Sequence, residues 1–294
     1  MLNQENYEHK TISTNGINLH VVVAGPEDGK PLFLLHGFPE FWGCWHHQIP
    51  YFAEQGYRVI VPDQRGYNLS DKPPKAKDYH IDILAKDIVG LADALGYETF
   101  YLVGHDWGAA VSWWMAHRYP ERIIKMGILN VPYPSLLAKA FRSSFKQLLR
   151  SWYMFFFQIP RIPEWLLSMR NYNTMLRMMK NSSLPDAFND EYLNALREAW
   201  SQPGALRGMI NWYRAMFRAG VRGGESGGGK LRITVPTLIL WGEQDIALEK
   251  HLAEASAAIC DDAQVIFFPD ATHWVQHDKP NEVNEHLANF FKET

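Results

Sequence analysis

The sequence predicts an α/β fold, a mostly parallel sheet with helices on both faces, into which an all-helical segment is inserted. Three observations predict it. Short apolar runs of strand length alternate with helical patterns from residue 17 to residue 131. The alternation stops at Pro132, and as far as residue 222 only helical patterns appear, rich in large apolar side chains. It resumes at Thr237 and continues to the last helix. The length of 294 residues suits one α/β domain carrying an insertion, and 47% hydrophobic residues, with 14% aromatics, supply a large core.

Residues 17–23 alternate and then run apolar, and 32–35 form a short buried run, so two strands open the fold. His36-Gly37-Phe38-Pro39 follows at a strand end. Residues 42–55 read as a helix, 58–62 as a strand, and Asp63-Gln64-Arg65-Gly66-Tyr67 as the start of a loop. Apolar residues at 84, 88, 91 and 95 predict a helix over 82–95 that stops at Gly96. A strand at 100–103, a helix from 108 to about 119 and a strand at 123–129 follow. After the insertion come a strand at 237–241, a helix at 249–259, a strand at 264–268 and a closing helix at 281–292 with one apolar face. The chain thus divides into a core, residues 1–131 and 231–294, and a helical cap, residues 132–230, which ends in a glycine-rich return from Gly220 to Lys230. Gly224 to Lys230 approaches a phosphate-binding loop. Leu231 stands where that loop needs Ser or Thr, however, and no strand precedes it.

The most informative turn is Gly104-His105-Asp106-Trp107-Gly108. A strand that stops at Gly104 and a helix that begins at Gly108 force the chain to reverse at Asp106, pushing its side chain clear of the sheet end. This is the nucleophile elbow with aspartate in place of serine. A carboxylate that attacks saturated carbon forms an alkyl ester, whose carbonyl water can attack to restore the enzyme; a serine would leave a stable ether. The turn therefore points to displacement at sp3 carbon. Its bland alternative is an ordinary helix start with an Asp N-cap. Asp245 and His273 also follow strands directly, in the order nucleophile, acid, histidine. The backbone N–H groups of Phe38 and Trp107 are placed to form an oxyanion hole.

A net charge of -3 without a basic stripe argues against nucleic acid or an anionic membrane as partner. No apolar segment approaches the ~20 residues that span a bilayer, and Cys44 and Cys260 lie far apart, so a cytoplasmic protein without disulfides is expected. No metal or organic cofactor is expected, because neither His-Glu-x-x-His nor a cysteine and histidine cluster occurs. A monomer and a homodimer both fit the composition.

On these residues the chain resembles the epoxide hydrolases of the α/β-hydrolase fold. The likeness runs through His36-Gly37-Phe38-Pro39, residues 63–73, residues 104–109, the insertion at 153–158 and 211–214, residues 241–245 and Thr272-His273-Trp274. It implies that Tyr153 and Tyr213, two of 13 tyrosines, donate hydrogen bonds to the epoxide oxygen. It implies further that Asp106 attacks carbon, that His273 oriented by Asp245 activates water, and that His36, Pro39, Trp107 and Phe157 line the site of a small apolar epoxide. Because the chain begins at the core, the phosphatase-like domain of some larger relatives is not expected. The nearest rival is a dehalogenase, which would need halide-binding N–H donors; Phe38 stands where many haloalkane dehalogenases carry asparagine, and Trp107 where the haloacid enzymes carry arginine. A silent hydrolase-fold protein binding an apolar ligand under its cap is the remaining alternative.

Overall fold

A computed structural model describes residues 7–218 and 231–292. Eight strands form one sheet: β1 (Glu8–Thr14), β2 (Ile17–Ala24), β3 (Lys30–Leu35), β4 (Tyr57–Pro62), β5 (Phe100–His105), β6 (Ile123–Leu129), β7 (Thr237–Gly242) and β8 (Ala263–Phe268). Their spatial order is β1-β2-β4-β3-β5-β6-β7-β8. Pairing is antiparallel for β1 with β2 and for β2 with β4, and parallel throughout the rest. The central strands β3, β5 and β7 are covered on both faces, which is why they read as continuous apolar runs instead of alternating.

Between the strands run α1 (Gln48–Glu54), α2 (Ile81–Ala94) and α3 (Trp107–Arg118). Among the described residues six helices then intervene between β6 and β7: α4 (Pro134–Ser143), α5 (Phe145–Arg150), α6 (Trp152–Phe156), α7 (Ile162–Asn181), α8 (Asp190–Ser201) and α9 (Ala205–Arg218). The chain closes with α10 (His251–Ala257), α11 (Val275–Asp278) and α12 (Pro280–Lys292). No helix among the described residues is long and apolar enough to cross a membrane.

Three expectations need correction. The fold opens with three strands, since β1 precedes the two read from sequence. Glu8–Thr14 is an edge strand that is mostly exposed or half-buried, so it lacks the apolar run of a core strand. The Asn15-Gly16 pair, with φ of 46° and 77°, is the tight hairpin turn that betrays it. Residues 42–55 are not one helix but a 3-10 turn, Trp42–Trp45, followed by α1. Pro50 lies in the first turn of α1, where no N–H is needed; inside a helix begun at Trp42 its ring would clash with the carbonyl one turn back. The helix expected over 249–259 is confined to His251–Ala257. The glycine-rich return and its near-match to a phosphate loop, residues 220–230, lie outside the described residues.

The chain order of the strands reverses at the β3–β5 pair: from β3 the chain moves to β4 on one side, and β5 lies on the other. Loops leaving the carboxyl ends of two such strands diverge and open a crevice between them. The crevice lies beside Gly37-Phe38 and Asp106.

Candidate active site

Asp106 sits at φ 50°, ψ −121°, outside the regions that an L-residue ordinarily occupies. Its side chain makes no capping hydrogen bond to α3, so the N-cap alternative has no contact to support it. The turn is tight enough to demand glycine on either side. A Cβ on Gly104 would meet the Gly108 backbone, and one on Gly108 would meet the Leu35 carbonyl of the neighbouring strand. Asp106 Oδ1 accepts a hydrogen bond from the Phe38 N–H at 2.6 Å, across the crevice. The Phe38-Pro39 peptide is cis.

His273 faces the other oxygen of the same carboxylate, its Nε2 3.6 Å from Asp106 Oδ2. Its Nδ1 lies 2.7 Å from Asp245 Oδ2. Asp245 is buried, and four further groups support its position. Asn130 Nδ2 donates to Oδ2 at 2.9 Å, and the N–H groups of Ala247 and Leu248 donate to Oδ1 at 2.7 and 3.0 Å. From α5, Arg150 donates to the Asp245 carbonyl at 3.1 Å. Burial alone would raise the Asp245 pKa, but the charge and hydrogen bond of His273 outweigh it and the net shift is downward. Burial likewise opposes protonation of His273, yet Asp245 and Asp106 together raise its pKa to about 10. The imidazole is thus held as a cation between two carboxylates at neutral pH.

Tyr153 on α6 and Tyr213 on α9 meet edge to face, ring centroids 5.9 Å apart, with Trp107 5.0 Å from Tyr213. Burial first, then the Asp106 charge, pushes both phenols up, so both remain protonated donors. The two tyrosines, Asp106 and Trp107 share a cavity whose remaining wall is largely apolar, including Leu84, Leu137, Phe141, Met154, Trp212 and Met216.

The other residues singled out from sequence lie off this wall. His36 is fully buried, and its Nε2 accepts the Gln64 N–H at 3.0 Å, so its proton belongs on Nδ1, 3.2 Å from the Gly37 carbonyl. Burial moves its pKa down, and a neutral ring in this position braces the loop without facing the cavity. Pro39 offers its carbonyl to the Trp200 indole at 2.5 Å. Phe157 packs against Phe38 and Tyr213, with centroids 5.4 and 4.9 Å away. These three stand behind the residues they were expected to accompany.

A buried network behind His273 escaped the sequence reading. Glu40 accepts from Tyr192 Oη at 2.6 Å and lies 2.7 Å from His277 Nε2 on one oxygen; the other takes Gln276 Nε2 at 3.1 Å, with His105 Nδ1 3.4 Å away. His105 Nε2 in turn reaches the His273 carbonyl at 2.9 Å. Burial opposes the Glu40 charge, but His277 and His105 more than offset it and hold the carboxyl well below its usual range. The available signal was a lone carboxylate inside the apolar run Phe38-Pro39-Glu40-Phe41-Trp42. Asn130, at φ 52° immediately after β6, carried the same strand-end signal as Asp106 and Asp245.

Comparison with known proteins finds relatives of the whole chain. The family model described as alpha/beta hydrolase fold matches residues 30–280. The AB hydrolase superfamily protein YfhM of Bacillus subtilis is 42% identical over 281 residues, covering 96% of each chain. Epoxide hydrolase 4 of Homo sapiens is 37% identical over 289 residues, 96% of this chain and 78% of that protein. Among solved structures, the Bacillus megaterium epoxide hydrolase in complex with an inhibitor superposes with a TM-score of 0.89 at 30% identity, covering 97% of this chain and all of the other.

Proposed function

The chain belongs to the epoxide hydrolases of the alpha/beta hydrolase fold, and from that premise we propose that it converts apolar aryl or alkyl epoxides to vicinal diols through an ester at Asp106. One observation carries the proposal. A strained carboxylate has one oxygen held by the Phe38 N–H and the other facing His273, and it opens on the apolar cavity that also receives Tyr153 and Tyr213. In this reading residues 132–230 are a cap over the core formed by residues 1–131 and 231–294.

The first step is attack of Asp106 on an epoxide carbon. As the C–O bond breaks, its electron pair moves to oxygen, and Tyr153 or Tyr213 supplies the proton that a poor alkoxide leaving group needs. The resulting phenolate recovers a proton from the His273 imidazolium. Esterification also removes the Asp106 charge, one of the two carboxylates that raise the His273 pKa, so the step that creates the ester helps to release the base that hydrolyses it. Neutral His273 then takes a proton from water, the hydroxide equivalent adds to the ester carbonyl, and the Phe38 and Trp107 N–H groups stabilise the oxyanion. Collapse expels the diol oxygen, which takes the acid proton, and leaves Asp106 ionised and His273 protonated again. The sum is epoxide plus water to diol.

His273→Gln removes the base but leaves the nucleophile. Mixed with excess aryl epoxide, that variant should gain the mass of one substrate and keep it, while Asp106→Ala gains nothing. Intact-protein mass spectrometry reads the result; rapid multiple turnover by His273→Gln would contradict the assigned role.

A further inference from the structure

A second cleft opens on α9 where the helical insertion meets the core, and none of the residues lining the catalytic cavity lines it. Among the described residues six cations line it, Lys75, Lys77, Arg161, Arg207, Arg214 and Arg218, against one carboxylate, Glu164. Arg214 is buried and grips Glu164 through two hydrogen bonds of 2.6 and 3.1 Å, which neutralises that carboxylate. The other five have no hydrogen-bond or ion-pair partner for their side chains among the described residues. Among the described residues this leaves five cations around one cleft without a counter-charge, on a chain whose net charge is -3, and their summed field makes the cleft a region of positive potential that attracts anions.

Two features of the backbone hold the cluster in place. Arg207, Asn211, Arg214 and Arg218 fall at spacings of four, three and four residues along α9, which is a single helix face, whereas Trp212, Tyr213 and Met216 line the catalytic cavity. Arg161 sits in the left-handed region at φ 64°, a conformation that a non-glycine residue keeps only where its surroundings enforce it. Among the described residues no aromatic ring lines the cleft, so none of them would stack on a base or an aryl group. Guanidinium forks and ammonium groups without stacking partners suit the oxygens of a compact, multiply charged phosphate.

We infer that this cleft binds a polyanion bearing phosphate groups, at a site separate from the catalytic cavity. The anion is free in solution or is the head of a lipid, the latter against the expectation that net charge alone set for an anionic membrane, and the two sources are distinguishable. Calorimetric titration with inorganic triphosphate should show saturable binding of one ion per chain. Affinity should fall at least about tenfold in Arg161→Gln/Arg207→Gln, which removes two charged donors, and stay unchanged in Arg122→Gln, whose guanidinium is paired with Asp93 elsewhere. Co-sedimentation with phosphatidylcholine vesicles only when they contain phosphatidic acid, with the same loss in the double variant, would assign the site to a lipid head. If the double variant fails to fold, Lys75→Gln/Lys77→Gln answers the same question. Absence of saturable binding to both probes, or binding that the variants retain, overturns the assignment. Diol formation is not part of the readout, so the result stands apart from the fate of the catalytic proposal.

Discussion

His273 concentrates the chemistry of the site in one measurable property. With Asp245 and Asp106 on its two nitrogens its pKa is raised to about 10, against an ordinary 6.5. A titration followed by imidazole NMR should therefore find it protonated through neutral pH. In Asp106→Asn one of the two carboxylates is gone and the midpoint should move down; an unmoved midpoint would mean that Asp106 does not govern the proton. The sign for stability follows from linkage. A raised pKa in the folded chain contributes stability that is complete below about 6.5 and is lost as pH rises through about 10. The Asp106→Asn variant should lose less stability across that window than the parent, as read by urea midpoints at pH 7 and 10. Much of this residue-scale site was legible in the sequence, because Asp106, Asp245 and His273 each follow a strand end and the glycines at 104 and 108 mark a turn that excludes a Cβ. Side-chain partners were not legible. That His36 faces Gln64 and not the cavity depends on packing across the sheet, which no local spacing records.

At the scale of elements, the site depends on how the inserted helices are stitched to the core loops. Helix α5 is tied to the loop after β7: Gln147, fully buried, donates to the Ala247 carbonyl at 2.8 Å and accepts the Glu249 N–H at 3.1 Å. That loop carries Asp245, and Tyr153 follows α5 by three residues, so one short helix sets the distance between Asp245 and Tyr153. Gln147→Ala breaks both bonds, at a cost of about 1–3 kcal/mol for polar groups left without partners. It should lower the urea midpoint and reduce kcat while leaving the far-UV spectrum intact; an unchanged midpoint would show that the tie is idle. Most elements were readable because their periodicities are strong, as in α2 and α12, whose apolar positions recur at helical spacing. The N-terminal edge strand was not, since β1 is mostly exposed and only its Asn15-Gly16 turn announces it. Helix α11, four residues long, is too short to develop a period.

The whole molecule explains why distant segments converge. Strands β3 and β5 lie side by side although the chain visits β4 between them, and the reversal brings Phe38 within 2.6 Å of Asp106, 68 residues away in sequence. Alternation of strand and helix foretold a wound sheet, but the order of its strands is a long-range fact that appears only when the chain is folded. The same holds for Glu40, which gathers His105, Tyr192 and the adjacent pair Gln276 and His277 from three separate stretches. The apolar cavity, with its few polar groups convergent on Asp106, argues for a substrate that enters neutral and is charged only during reaction. The most direct test of the account is a single-turnover reaction of excess protein with an aryl epoxide in oxygen-18 water, with product and peptide followed by mass spectrometry. Attack through Asp106 predicts a first-turnover diol that is mainly unlabelled, with the label retained in the Asp106 peptide; label appearing at once in the diol and absent from that peptide would mean direct attack by water, and would contradict the ester.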